Sequence, residues 1–132
     1  MGNTVEIVAK SNSAERKEQF RKRTKSFASC VIRLYVELPR ARAEVQVLGR
    51  QMLRSATSVA ANDREASRAR SQAEFVAKAE QCAQEADETI LWLELLKEDC
   101  GISLGVLDAL HKEANELLAI FVTMARNAKR NQ

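Results

Sequence analysis

The side chains best suited to metal binding or nucleophilic catalysis are one histidine, His111, and three cysteines, Cys30, Cys82 and Cys100. Asp108 precedes His111 in a D-x-x-H spacing, which places a carboxylate and an imidazole on one face of a helix. A di-iron bundle requires two imidazoles and several glutamates, and structural zinc requires four closely spaced ligands. We therefore expect no metal and no cofactor, and interpret His111 as a surface residue.

Sequence motifs of the common enzyme classes are missing. The chain has no Gly-rich phosphate loop, no G-x-S-x-G and no H-E-x-x-H. A Cys–His dyad between His111 and one of the cysteines stays open, although no neighbouring residue favours it. Acid pairs such as Asp87 and Glu88 are typical of a solvated helix face. The sequence therefore favours a protein that is not an enzyme.

Basic side chains form the one pattern with a functional meaning, because phosphate binding requires Lys and Arg on an exposed face. Residues 1–42 hold ten Lys and Arg against four Asp and Glu, although the net charge of the whole chain is only +3. The candidate phosphate-binding residues are Arg16, Lys17, Arg21, Lys22, Arg23 and Lys25, with Arg64, Arg68 and Arg70 as a second set. No aromatic residues are interleaved with them, so base stacking is not indicated. A solvated basic surface without a ligand is the alternative.

The composition predicts helices to carry these residues. The 132 residues include only 4 Gly and 1 Pro, with 45% hydrophobic and 30% charged residues, which is typical of one soluble all-α domain. An Asn12–Glu15 capping box would start the first helix and Pro39 would end it, and a Ser71–Glu74 box would start the third. We predict a flexible lead over residues 1–12 and helices over about 13–38, 43–66, 71–99 and 103–129. Short connections then favour an antiparallel up-down-up-down four-helix bundle over residues 13–130.

Two of the predicted helices have a second patterned face in addition to the apolar face that forms the core. On the Ala- and Ser-rich second helix, one face presents a polar row of Gln51, Arg54, Ser58, Asn62 and Glu65. This row is either solvated or in contact with another helix or subunit. The third helix carries more apolar residues than one core-facing stripe requires, and the additional ones are Leu91, Trp92 and Leu95. This surplus predicts an oligomer interface.

Cellular location is predicted from what the sequence lacks. The N-terminus has no basic region followed by an apolar segment, and no apolar run approaches the roughly 20 residues of a membrane span. Three cysteines without a C-x-x-C spacing favour reduced thiols. We expect a cytoplasmic protein that does not contact membranes.

A long stretch of the sequence resembles a known family. The segments Q-M-L-R-S-A-T-S-V-A-A-N-D-R-E-A-S-R-A-R-S-Q-A-E-F-V-A-K and E-A-D-E-T-I-L-W-L-E-L-L are similar to bacterial four-helix bundle proteins. That family includes proteins encoded in intervening sequences of large-subunit rRNA genes, and the accessory variability protein of diversity-generating retroelements is similar to it. Asp63, Ala79 and Gln81 depart from the family pattern, which has larger apolar residues at these positions.

The resemblance implies a four-helix protomer that assembles as a closed homopentameric ring. The retroelement relative is basic and binds nucleic acid and its reverse transcriptase. Two functions are therefore expected of this chain. The first is binding of RNA or DNA backbone through the basic N-terminal segment. The alternative is a protein-interaction scaffold that docks a partner such as a polymerase on the ring surface, without nucleic acid.

Overall fold

Four antiparallel helices make up the fold. The computed structural model describes the backbone of residues 4–131 and the side chains of residues 13–131. The helices are α1 (Thr4–Glu37), α2 (Ala43–Ser67), α3 (Gln72–Glu98) and α4 (Gly105–Arg130), and no strand occurs within this part of the chain. Each helix packs against the next through a short connection, so the predicted all-α, up-down-up-down four-helix bundle is confirmed.

The first helix starts nine residues earlier than predicted, at Thr4 instead of near residue 13. Residues 4–12, predicted as a flexible lead, therefore continue α1, and residues 1–3 lie outside the described residues. The physical reason is that no Gly or Pro lies between Thr4 and Pro39, so nothing in the backbone stops the helix at Asn12. The bounds of the other three helices differ from the prediction by at most two residues.

The start of α3 follows the predicted capping chemistry. Ser71 has an extended backbone, and its hydroxyl oxygen accepts the N–H of Glu74 at 3.1 Å. The Glu74 carboxylate in turn accepts the N–H of Arg70 at 3.1 Å. At the other end of α3, Gly101 adopts a positive φ of 68°, where glycine has no Cβ to strain. The chain thus turns sharply into α4, and Ile102 N–H bonds to Leu96 C=O at 3.0 Å.

The hydrophobic core lies along the α2–α3 and α3–α4 contacts, and α1 covers it from one side. The side chains of Met52, Leu93, Leu117 and Phe121 are fully buried, and each removes enough apolar surface from water to contribute roughly 1.5–3 kcal/mol. α1 packs mainly on α2 and touches α4 over a shorter length. The position of α1 therefore depends chiefly on how it fits against α2.

Gly49 on α2 leaves room for side chains from the end of α1 and the turn after it. A Cβ atom at this position would lie 2.9 Å from Leu38 Cδ1 and 3.1 Å from Tyr35 Cδ2. The two side chains would have to shift to admit a Cβ, so the glycine favours close packing of α1 on α2.

Replacement of Gly49 by valine should therefore lower the free energy of unfolding by about 1–3 kcal/mol, because its methyl groups push α1 away from α2. Urea denaturation followed by circular dichroism measures this loss. Gly105→Val is the matched control, since nothing lies within 4 Å of a Cβ added there. Equal stability of the Gly49→Val protein and the parent would show that the close approach is not needed.

Candidate nucleic-acid interface

Three separate parts of the sequence meet at one end of the bundle. Thr24 Oγ1 donates to Asp63 Oδ2 at 3.3 Å, which aligns the middle of α1 with the end of α2. Gln72 Nε2 donates to the carbonyl of Ala128 at 2.9 Å, which aligns the start of α3 with the end of α4. We call this region, made of residues 13–25, 64–78 and 123–131, the basic end.

The basic end carries most of the positive charge of the protein. It holds 13 Lys and Arg against 4 Asp and Glu, whereas the rest of the chain holds 8 against 14. The two predicted basic sets, which are about 40 residues apart in the sequence, are therefore brought to one end of the molecule. Such a separation of charge creates a positive potential over one surface, which attracts polyanions.

Seven of the nine predicted phosphate-binding residues are exposed at this end. Between the described side chains, no ion pair involves any of them. They are Arg16, Lys17, Lys22, Lys25, Arg64, Arg68 and Arg70. An exposed cation without a carboxylate partner can reach a phosphate at little cost, because no existing bond has to be broken.

The other two predicted residues, Arg21 and Arg23, are engaged within the protein. Arg23 Nε and Nη2 donate to the two carboxylate oxygens of Glu113 at 2.8 and 2.6 Å, and Nη2 also reaches Glu116 at 2.8 Å. The hydrogen bonds that Arg23 donates to Glu113 raise the pKa of Arg23. Arg21 is half-buried and pairs with Glu18 at 3.8 Å. Arg23 therefore clamps α1 onto α4 and is poorly placed to bind a ligand.

Besides Lys78, three further cations at this end were missed by sequence reasoning. The last turns of α4 contain Arg126, Lys129 and Arg130. From the sequence alone, these residues are expected only to stabilise the negative end of the helix dipole. The α3–α4 alignment adds them to the basic end. Lys129 contacts Glu80 at 3.3 Å, while Arg126 and Arg130 are exposed. No local signal could have found this grouping, because it depends on which helix ends are neighbours.

The polar row of α2 borders α3 of the same chain. Arg54 lies 3.5 Å from the carboxylate of Glu88, and Glu65 lies 2.7 Å from the ammonium of Lys78. Deeper between the same helices, the hydroxyls of Ser55 and Thr89 share a hydrogen bond of 2.7 Å. The row therefore contributes to the pairing of α2 with α3.

A carboxyl pair on α3 lies beside this row. Glu85 is only 6% exposed, and burial, together with the neighbouring Glu88, raises the pKa of its carboxyl group. Gln81 donates to one Glu85 oxygen at 3.1 Å, while the other oxygen is buried without a hydrogen-bond partner among the described residues. The indole N–H of Trp92 is buried in the same way. This face of α3 therefore combines acidic groups with a large apolar side chain.

The three residues predicted to form an oligomer interface have different degrees of exposure. Leu91 is 46% exposed, whereas Trp92 and Leu95 are half-buried and Trp92 packs against the core. Leu91 and Leu95 are one turn apart and thus share a face of α3.

The surroundings of His111 and of the three cysteines indicate structural roles. His111 Nε2 bonds to Glu94 at 2.9 Å, and its Nδ1 lies 3.3 Å from Asn115. All three cysteines are free thiols; Cys82 and Cys100 are buried and Cys30 is half-buried. Within residues 13–131, no group of three or more His, Cys, Asp or Glu is placed to hold a metal ion. No helix in the described part of the chain is long and apolar enough to cross a lipid bilayer.

Comparison with known proteins assigns the family. Residues 16–123 match the model of the 23S rRNA-intervening sequence protein family. The chain belongs to this family. A similar solved structure is a protein of unknown function from the S23 ribosomal protein family of Bacteroides thetaiotaomicron. It is 31% identical, with a TM-score of 0.72, and the match covers 80% of this chain and 96% of that one. No curated protein matches the chain.

Asp63 lies directly beneath the basic end. Its carboxyl group is 5% exposed and bonds to Thr24, which is 1% exposed. Burial raises the pKa of Asp63 above the ordinary value of 3.8, while Thr24, Arg21 and Arg64 lower it to a smaller extent. Burial also raises the pKa of the nearby Cys82 thiol to about 12, so this thiol is neutral and unreactive.

The Asp63 carboxyl group should make the stability of this family member depend on pH. Because its pKa is raised in the folded state, folding favours the protonated form, and stability is lost as pH rises above 3.8. Asp63→Asn mimics the protonated form and should raise the melting temperature at pH 7, with a smaller gain at pH 4.

Thermal denaturation of both proteins from pH 4 to pH 8 measures this difference. Glu37→Gln, which removes an exposed carboxylate from α1, is the control and should show no such trend. A gain from Asp63→Asn that is the same at every pH would mean that its ionisation does not matter.

Proposed function

We propose that this protein is a non-enzymatic homo-oligomer that binds the phosphate backbone of RNA or DNA through its basic end. The observation that carries the proposal is the charge separation, with 13 cations against 4 acids at one end of the bundle. The similar solved protein belongs to the S23 ribosomal protein family, which is consistent with an RNA ligand.

The strength of such binding comes from the number of phosphate contacts. Each Lys or Arg that neutralises a phosphate releases a counterion, so affinity falls steeply as the salt concentration rises. One protomer offers the seven exposed predicted cations together with Arg126 and Arg130. Several protomers on one nucleic acid would add their contacts and gain in effective concentration. A modest patch on each protomer is therefore sufficient if the protein assembles.

Self-association is the second part of the proposal. Leu91 is 46% exposed on α3, and Val47 on α2 is 51% exposed. Ser55 contacts Thr89 and the carbonyl of Val59 contacts Cys82, so this antiparallel register places Val47 near the level of Leu95. An apolar face of this kind gains free energy when a second copy covers it. We take the assembly to be the homopentamer that the family resemblance implies, in the reducing cytoplasm that the free thiols favour.

Charge reversal tests the binding site. Lys17→Glu combined with Arg68→Glu removes one cation from each predicted set and should weaken binding to a 30-nucleotide RNA duplex at 100 mM salt at least about tenfold. The slope of log affinity against log salt should become shallower, by about one for each lost phosphate contact. Fluorescence anisotropy over a salt series measures both quantities.

The matched control is Arg50→Glu combined with Lys112→Glu. Both residues are exposed and lie outside the basic end, and the net charge changes by the same amount as in the test variant. Equal losses of RNA affinity in the two variants would mean that overall charge, and not the position of the cations, determines binding. No binding of the parent protein at 20 mM salt would reject the nucleic-acid proposal.

A second candidate is the protein-interaction scaffold. A shallow cleft between α3 and α4 favours it, because small apolar residues lie at its base and charges at its rim, as in many protein-docking sites. Its lining includes Ala83, Val122 and Ala125, with Glu80 and Arg126 beside them. Val122→Asn would abolish capture of a protein partner but leave RNA affinity unchanged, because it adds no charge beside Arg126.

A further inference from the structure

A closed ring of more than two identical subunits needs two different contact patches on every copy. One patch of each subunit meets the other patch of the next subunit, since a self-complementary patch would stop at a dimer. We call Leu91, Trp92 and Leu95 the α3 patch. If the proposed homopentamer forms, the protein must present a second patch elsewhere, and the exposed apolar side chains show where it lies.

The second patch is on the outer face of α1. Val36 is 60% exposed and Ile32 is 46% exposed, and these values are among the highest for large apolar residues in the described part of the chain. Their spacing of four residues puts them side by side on one face. Val31 and Leu34, between and beside them, are buried, so the Ile32–Val36 pair points away from the core. We call this pair the α1 patch.

The two patches lie on helices that are not neighbours in the bundle. α1 packs on α2 and α4, and α3 packs on α2 and α4, while α1 and α3 do not pair within the described residues. The two helices therefore occupy diagonal positions. Patches on two such helices allow each subunit to contact one neighbour with α1 and the other neighbour with α3, which is the arrangement that a ring requires.

The net charges around the two patches are opposite. At the α1 patch the exposed Arg33 and Arg40 outnumber the exposed Glu37, and the guanidinium of Arg33 lies 3.3 Å from the Cys30 sulfur. The α3 patch is bordered by the exposed Asp87 and Glu98 and by the half-buried Glu88, which also contacts Arg54 at 3.5 Å. Opposite charges at the rim of an apolar contact orient two partners and disfavour the contact of like patches.

We propose that the α1 patch of one copy docks on the α3 patch of the next copy, as a heterologous apolar contact with Arg33 facing the acidic rim. This inference rests on the self-association in the proposed function, and it adds which surfaces meet. Two copies with their α3 patches facing each other would instead bring acidic rims together, which costs free energy.

Two variants, each with one broken patch, test the pairing. Ile32→Glu with Val36→Glu disables the α1 patch, and Leu91→Arg with Asp87→Arg disables the α3 patch. All four positions are exposed, so the fold should tolerate the changes, which circular dichroism verifies. Light scattering at about 100 μM should show each variant alone as a 14.8 kDa monomer. An equimolar mixture should form a heterodimer and nothing larger, because only one intact pair of patches remains.

The control is Val122→Glu on α4, which is outside both patches and should assemble like the parent. Assembly of the α1-patch variant into the parental oligomer would overturn the proposal, as would a mixture that stays monomeric. A parent protein that is itself monomeric would instead reject self-association as a whole, so the two failures can be told apart.

A milder pair of substitutions checks the same contact without large changes at apolar positions. Arg33→Glu should weaken assembly at least about tenfold, because it places like charges at the rim. Asp87→Arg in the same chain should restore most of the loss. If Arg33→Glu has no effect, or Asp87→Arg gives no recovery, the proposed orientation of the contact is wrong.

Discussion

The close packing of α2 against its two neighbours is the constraint on which the rest of the structure depends. Gly49 lets α1 approach until Leu38 and Tyr35 fill the space where a Cβ would lie, and the hydroxyls of Ser55 and Thr89 meet at 2.7 Å between α2 and α3. Small side chains are needed at these points, since bulky ones would hold the helices apart. The register that this packing fixes also aligns Thr24 with Asp63, and so brings the middle of α1 to the end of α2.

The distribution of charge follows from this register and from the antiparallel order of the helices. Cations at residues 16–25 of α1, at the α2–α3 junction and at the end of α4 share one end of the bundle, whereas acids predominate elsewhere. Repulsion among these cations is opposed at one point by the Arg23 clamp to Glu113 and Glu116, which also fastens α1 to α4. The same arrangement thus concentrates positive charge and keeps the charged helix in place.

Individual residues show which local interactions could be predicted from the sequence and which could not. Ser71 and Glu74 form the expected cap of α3, because capping involves residues only three apart. The same reasoning failed at Asn12, since a capping residue can also lie inside a helix when no Gly or Pro interrupts it. At the candidate site, the exposure of Lys17 and Arg68 followed from the pattern. The engagement of Arg23 did not, because its partners are about 90 residues away.

The sequence by itself determined the all-α class, the number of helices, the family and the basic character of the N-terminal third. Each of these depends on composition, on hydrophobic periodicity or on a continuous motif, all of which can be recognised without knowing neighbours in space. Only the tertiary structure decided that the two basic sets and the end of α4 share one surface. It alone also showed that the polar row borders α3 and that α1 and α3, with their exposed apolar residues, occupy diagonal positions. The physical reason is that these relations depend on the register and order of packed helices, and small side chains such as Gly49 set that packing through contacts distant in sequence.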